Sequence, residues 1–152
     1  QKIIQATYMK SKQVTQVLPT ILTGKHMESY DRGKEIYEMS CFSCHGQDGL
    51  GLLDMGPPLA KSDWVSGSPD IISKIILKGM EGEITVSGKK YTPKVSMMPF
   101  EAIMTDEQIA DVSTYIRNSW DNKASPVDEK SVHQVRAETS KRTNRYQEAD
   151  LR

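Results

Sequence analysis

The chain has 152 residues, which suits one domain of ordinary size with extensions and makes two full domains unlikely. Lys plus Arg and Asp plus Glu both number 20, and this formal neutrality argues against a nucleic-acid binder. No run approaches the about 18 apolar residues of a transmembrane helix, two cysteines cannot build a disulfide scaffold or a four-cysteine zinc site, and Leu, Ile, Val and Phe together supply only 31 residues for a core.

The first 28 residues show no clear period. Val14 to Leu22 reads as a short strand or helical turn broken at Pro19. Residues 1–30 carry four positive charges against one negative, and residues 31–60 carry two against five; neither is a long like-charge run, so both read first as solvated faces, with partner docking as the second reading. No basic segment followed by an apolar run opens the chain, so an exported protein with this sequence is expected to be a mature form or an excised piece.

A first helix is expected from Tyr30 to Cys41, with Ser29 or Asp31 as cap. Gly33 costs propensity there and so marks a close packing site. The stretch Gly46 to Leu59 is too rich in Gly and Pro for a helix or central strand. A second helix spans Ser68 to Lys78: Ser68 caps it, Pro69 suits the first helical position and Gly79 stops it. Ile71, Ile72, Ile75 and Ile76 form its apolar face.

Glu83 to Tyr91 reads as a hairpin turning at Ser87-Gly88, followed by a loop over residues 92–104. A third helix starts with the capping box Thr105-Asp106-Glu107-Gln108 and runs to about Trp120, with Ile109, Val112, Ile116 and Trp120 on one stripe. Val127, Val132 and Val135 suggest a short amphipathic helix in a C-terminal extension, 121–152.

Both cysteines fall in Cys41-Phe42-Ser43-Cys44-His45, the C-x-x-C-H attachment site of a c-type haem. Residues three apart sit about one helical turn from each other, so both thiols can reach the vinyl groups on one porphyrin edge, and the adjoining His45 can ligate iron. A zinc half-site would need two more ligands, and only His26 and His133 remain, without paired spacing. A thioredoxin-like pair would need a βαβ setting that is missing here.

From Tyr30 to Trp120 the sequence resembles class I cytochromes c. Gly33 and Tyr37 match the first-helix positions, Cys41 to Gly46 the haem motif, and Gly56-Pro57-Pro58-Leu59 the element after the haem loop. Met98-Pro99 matches the distal M-P, and Thr105 through Ile116 the last helix. The resemblance implies an all-α cytochrome c fold over residues 29–120, with about three main helices, a small β-hairpin insertion and terminal extensions. It also implies that the Pro57 carbonyl receives the second ring N–H of His45, which would fix tautomer and orientation.

Met98 lies in a loop 53 residues past His45 and is the expected sixth ligand. Met97 is the adjacent alternative, and a histidine or an open site are the remaining ones; Met104 is read as packing, and His26 and His133 as surface residues. Trp64 and Tyr91 either pack at the haem edge or donate to a propionate. Leu59, Ile75, Phe100 and Ile116 are read as pocket wall or plain core.

A narrower resemblance, to cytochrome domains of bacterial periplasmic dehydrogenases, many of them quinoproteins, rests on Ser62-Asp63-Trp64-Val65-x-Gly67, Ile75-Ile76-Leu77-x-Gly79 and Ile84-x-Val86-x-Gly88-x-x-Tyr91, supported by Tyr115-Ile116-Arg117-Asn118-Ser119-Trp120 and Val135-Arg136-Ala137. The chain departs from that group at Met97 and Asp121, where a smaller residue and a glycine are usual.

The implied function is one-electron transfer by one covalent haem c with His45 and Met98 on iron. The chain would be a carrier, not an enzyme by itself, working with a periplasmic dehydrogenase or respiratory complex in an extracytoplasmic compartment. It would touch membranes only through a partner and bind no nucleic acid. The rivals are a haem sensor or peroxidase-like domain with a labile sixth ligand, and a subunit whose haem is mainly structural. With so few apolar side chains, the haem disc is expected to complete the core, and the haem-free chain to be largely unfolded.

Overall fold

The computed structural model describes residues 22–152. The expectation for residues 14–21 lies outside them. Helix α1 spans Lys25–Ser40 and the short α2 spans Phe42–His45. After the glycine-rich loop come α3 (Asp63–Ser66), α4 (Pro69–Lys78), and the hairpin β1 (Ile84–Val86) with β2 (Lys89–Tyr91). Then follow α5 (Asp106–Arg117), α6 (Glu129–Glu138) and α7 (Glu148–Leu151).

Elements with local signals form as expected. Ser68 accepts from the Asp70 N–H and Pro69 opens α4. Thr105 and Gln108 make a reciprocal capping box at α5. The hairpin pairs Ile84 with Tyr91 and Val86 with Lys89, and both turn residues, Ser87 (φ 48) and Gly88 (φ 86), are left-handed as a two-residue turn requires.

Two boundaries differ. Helix α1 begins at Lys25, not Tyr30, with Gly24 at the cap. Lys25 to Glu28 contain no breaker and extend it, while Ser29, a candidate cap, donates its hydroxyl to buried Asp111 at 2.6 Å. Helix α5 ends at Arg117, short of Trp120, because Trp120 (φ 52) and Asp121 (φ 68) turn the chain left-handed. The narrower resemblance puts glycine at position 121, and the aspartate found there is among the few residues that tolerate this conformation.

Helices α1 and α5 cross at Gly33. A Cβ there would collide with the Asp111 carbonyl, so only glycine permits this approach. Asp111, 2% exposed, is held by Ser29 and by both arms of Arg32 at 2.8 and 3.0 Å. Tyr30, Tyr37, Tyr115 and Trp120 stack in tilted and edge-on pairs around the crossing, with centroids 5.0–5.7 Å apart.

The stretch beyond residue 120 is packed into the same core: Val127, Val132 and Val135 are buried together with Ile72, Leu77, Ile109 and Val112. Helix α6 is tied down by Arg136, whose guanidinium donates to Asp106 (2.6 Å) and to the Glu101 and Met104 carbonyls (both 2.7 Å). Burial would raise the Asp106 pKa, but the bonds from Arg136 and His133 outweigh it and hold the carboxyl below its ordinary value. The stability this group contributes is therefore full above about pH 4 and lost as the pH falls through its lowered folded value. Comparing denaturation midpoints at pH 6 and pH 3, the Asp106→Asn variant should show a smaller acid-induced drop than wild type. An equal drop would assign the acid sensitivity to other groups.

Candidate haem pocket

Helix α1 ends one residue before the attachment motif. The Cys41 N–H still donates to the Tyr37 carbonyl, and α2 then carries Cys44 and His45 round a single turn. Tyr37 is buried and donates its hydroxyl to the Gly46 carbonyl at 2.6 Å, pinning the exit of the motif. Both cysteines are free and half-buried. Burial first, and then the neighbouring Cys44, push the Cys41 thiol up to about 12.

His45 Nδ1 lies 2.9 Å from the Pro57 carbonyl. A carbonyl only accepts, so Nδ1 carries the proton and Nε2 keeps its lone pair for a metal. Burial lowers the His45 pKa and the Pro57 bond opposes it only in part, which favours the neutral ring that ligation needs.

These groups open onto a cavity of about 380 Å³, within the range of cofactor sites. Its lining joins Cys41, Cys44, His45, Pro57 and Leu59 to Trp64, Met98 and Phe100, and to wall residues Ile75 and Ile116. Met97 and Met104 line it too, so Met104 packs against the site rather than apart from it. Tyr91 is not in the lining. It sits on the edge strand β2, packed against the cluster of Trp64, Met80, Ile84, Val86 and Tyr146, with Lys89 over its ring. The Trp64 side chain lines the cavity, and its indole N–H donates to the Thr85 carbonyl at 2.8 Å.

His26 and His133 stand away from the cavity: His26 faces Asp128 at 3.6 Å and His133 faces Asp106 at 3.0 Å. Among the described residues no three His, Cys, Asp or Glu side chains gather as a metal cluster. Nothing in the sequence singles out Met55 and Met80, which also line the cavity. Arg117 has a comparable hidden role. It is 2% exposed and donates to the Val65, Gly67 and Ser125 carbonyls at 2.7–2.8 Å, locking α3 and the stretch after α5 onto α5.

The residues present fit a covalently attached haem. Two thiols and a neutral imidazole share the rim of an apolar cavity, and a Cβ at Gly56 would press on the His45 ring at 3.1 Å, so glycine leaves the ring its place. A family model described as cytochrome c matches residues 30–120, and the chain belongs to that family.

It is 36% identical over 94 residues to the cytochrome c subunit of a quinone alcohol dehydrogenase from Gluconacetobacter polyoxogenes, covering 60% of this chain and 19% of that protein. It is 31% identical over 128 residues to the gluconate 2-dehydrogenase cytochrome c subunit of Pantoea cypripedii, covering 78% and 29%. With Thermus thermophilus cytochrome c-552 it shares 34% identity over 92 residues, covering 58% and 67%. The chain thus spans less than a third of the two dehydrogenase subunits. As a cytochrome c it binds haem c covalently and serves haem-mediated electron transfer. No helix among the described residues is long and apolar enough to cross a membrane.

Proposed function

We propose that this chain is a one-electron relay in which His45 and Met98 would hold the haem iron, and that its partner is a dehydrogenase or respiratory complex outside the cytoplasm. The observation that carries the reading is the convergence of the attachment motif and the distant Met98 on one apolar cavity. The dehydrogenase names of the relatives support the choice of partner.

Bound haem supplies a one-electron Fe(III)/Fe(II) couple. Cys41 and Cys44 tether it, and the Pro57 carbonyl orients His45 by taking the Nδ1 proton. The Met98 thioether favours the reduced state. Ile72, Ile76, Phe100 and Ile116 exclude water from the wall and so disfavour the more highly charged oxidised state. Phe42, Met55, Val95 and Met98 keep substantial exposure, and three of the four also line the cavity, which gives its mouth an apolar margin for a redox partner. Residues 29–120 form the haem domain in this reading.

Redox titration with optical detection tests the relay. A reversible one-electron wave at positive potential is expected, with a reduced spectrum unchanged by carbon monoxide. Ready carbon monoxide binding by the wild type would assign a sensor or peroxidase-like site instead.

A further inference from the structure

The segment after Thr139 lies beyond the residues matched by the family model, yet it reaches the cavity wall. Tyr146 pairs with the strand-like stretch at Met80: its N–H donates to the Gly79 carbonyl (3.0 Å) and its carbonyl accepts from the Glu81 N–H (2.9 Å). The other edge of Met80 pairs antiparallel with Met97, by bonds of 3.3 and 2.9 Å. Arg145 spans the pair and donates Nε–H to the Met97 carbonyl at 3.1 Å. The chain end continues over the same wall. Glu148 accepts from the Thr85 N–H at 3.1 Å, while Arg152 pairs with Asp63 and stacks 3.9 Å from the Trp64 ring centroid. Tyr146 is buried against Trp64, Met80, Ile84 and Val86, four residues that line the cavity.

We propose that Arg145 and Tyr146 are positioning residues that hold the Met97–Met98 loop against Met80, so that the Met98 thioether keeps the iron closed to other ligands. The proposal rests on Met98 being a ligand. Its physical basis is that Met98 itself is 46% exposed and belongs to neither apolar cluster. The restraint comes through the backbone of the preceding residue, and Arg145 supplies a charge-assisted bond there.

The test uses the haem-loaded protein and measures carbon monoxide association with its reduced form, alongside amide hydrogen exchange at Met80 and Met97. Arg145→Ala and Tyr146→Ala should each speed association by about tenfold, the equivalent of one lost charge-assisted hydrogen bond, and should speed exchange at Met97. Arg145→Lys should recover part of the closure. Arg32→Ala, which breaks the distant α1–α5 pair, should lower the melting temperature and leave association unchanged. If Tyr146→Ala fails to fold, Arg145→Gln decides.

Met98→Ala is the reference. Fast association in Met98→Ala with wild-type association in the Arg145 variants would overturn the positioning role alone. Wild-type association in Met98→Ala overturns the ligand assignment and the positioning role with it.

Discussion

Met98→Ala is expected to lower the midpoint potential by on the order of 0.1 V, a modest part of the roughly 0.8 V that axial ligands command, and to open the reduced protein to carbon monoxide. Met97→Ala should do neither. The two methionines are neighbours in sequence and both line the cavity, but they are held differently. The Met97 backbone is pinned by Met80 and Arg145, and its side chain packs against both apolar clusters. Removing that side chain costs stability, about 2 kcal/mol for a partly buried large-to-small change, and leaves the potential near wild type. The Met98 side chain is 46% exposed and belongs to neither cluster, so truncating it costs little packing. Its loss removes thioether bias toward the reduced state. Paired potentiometry and thermal melts separate the two variants. A potential drop confined to Met97→Ala would transfer the ligand role to Met97.

The haem-free chain, obtained with both Cys41 and Cys44 replaced by serine and no haem present, is expected to be largely unfolded at 25 °C. Without haem, the apolar wall of the cavity of about 380 Å³ faces water, and that exposure counts against a domain stability of only roughly 5–15 kcal/mol. The wall draws on α4, β1, α5 and the loop between β2 and α5, so no single element can collapse to fill the cavity without disrupting the rest. The α1–α5 crossing, with Asp111 bridged by Ser29 and Arg32, is the part best able to persist locally. Far-UV circular dichroism and heating of the haem-free variant check this. Native-like helicity with a cooperative melt would show that the polypeptide closes its own core.

Local chemistry was the legible part. The Ser68-Pro69 start and Gly79 stop of α4, the Thr105–Gln108 box of α5 and the Ser87-Gly88 turn each act within a few residues, so their effect can be read from adjacent letters. The attachment motif is legible for the same reason, since both thiols and the ligating imidazole must sit within one turn. Pro57, twelve residues on, became readable only through the family resemblance, and its carbonyl lies 2.9 Å from His45 Nδ1. The start of α1 is not legible locally, because Ser29, a good cap by type, spends its hydroxyl on Asp111, a residue 82 positions away.

The sequence by itself determined that both cysteines and His45 share one haem-attachment motif and that helices with definite caps flank it. Tertiary structure decided the long-range pairings. It brought Met55, Met80, Met97, Met98 and Met104 to one cavity, left Tyr91 on an edge strand outside it, turned the Trp64 N–H to Thr85, and buried Arg117 among three backbone carbonyls. It also packed the stretch after residue 120 into the core and against the distal loop. The physical reason is the range of the interactions. Caps and turns are satisfied by neighbours along the chain, whereas a buried polar group or a cavity wall takes whichever partner the closed chain brings within hydrogen-bonding or van der Waals reach.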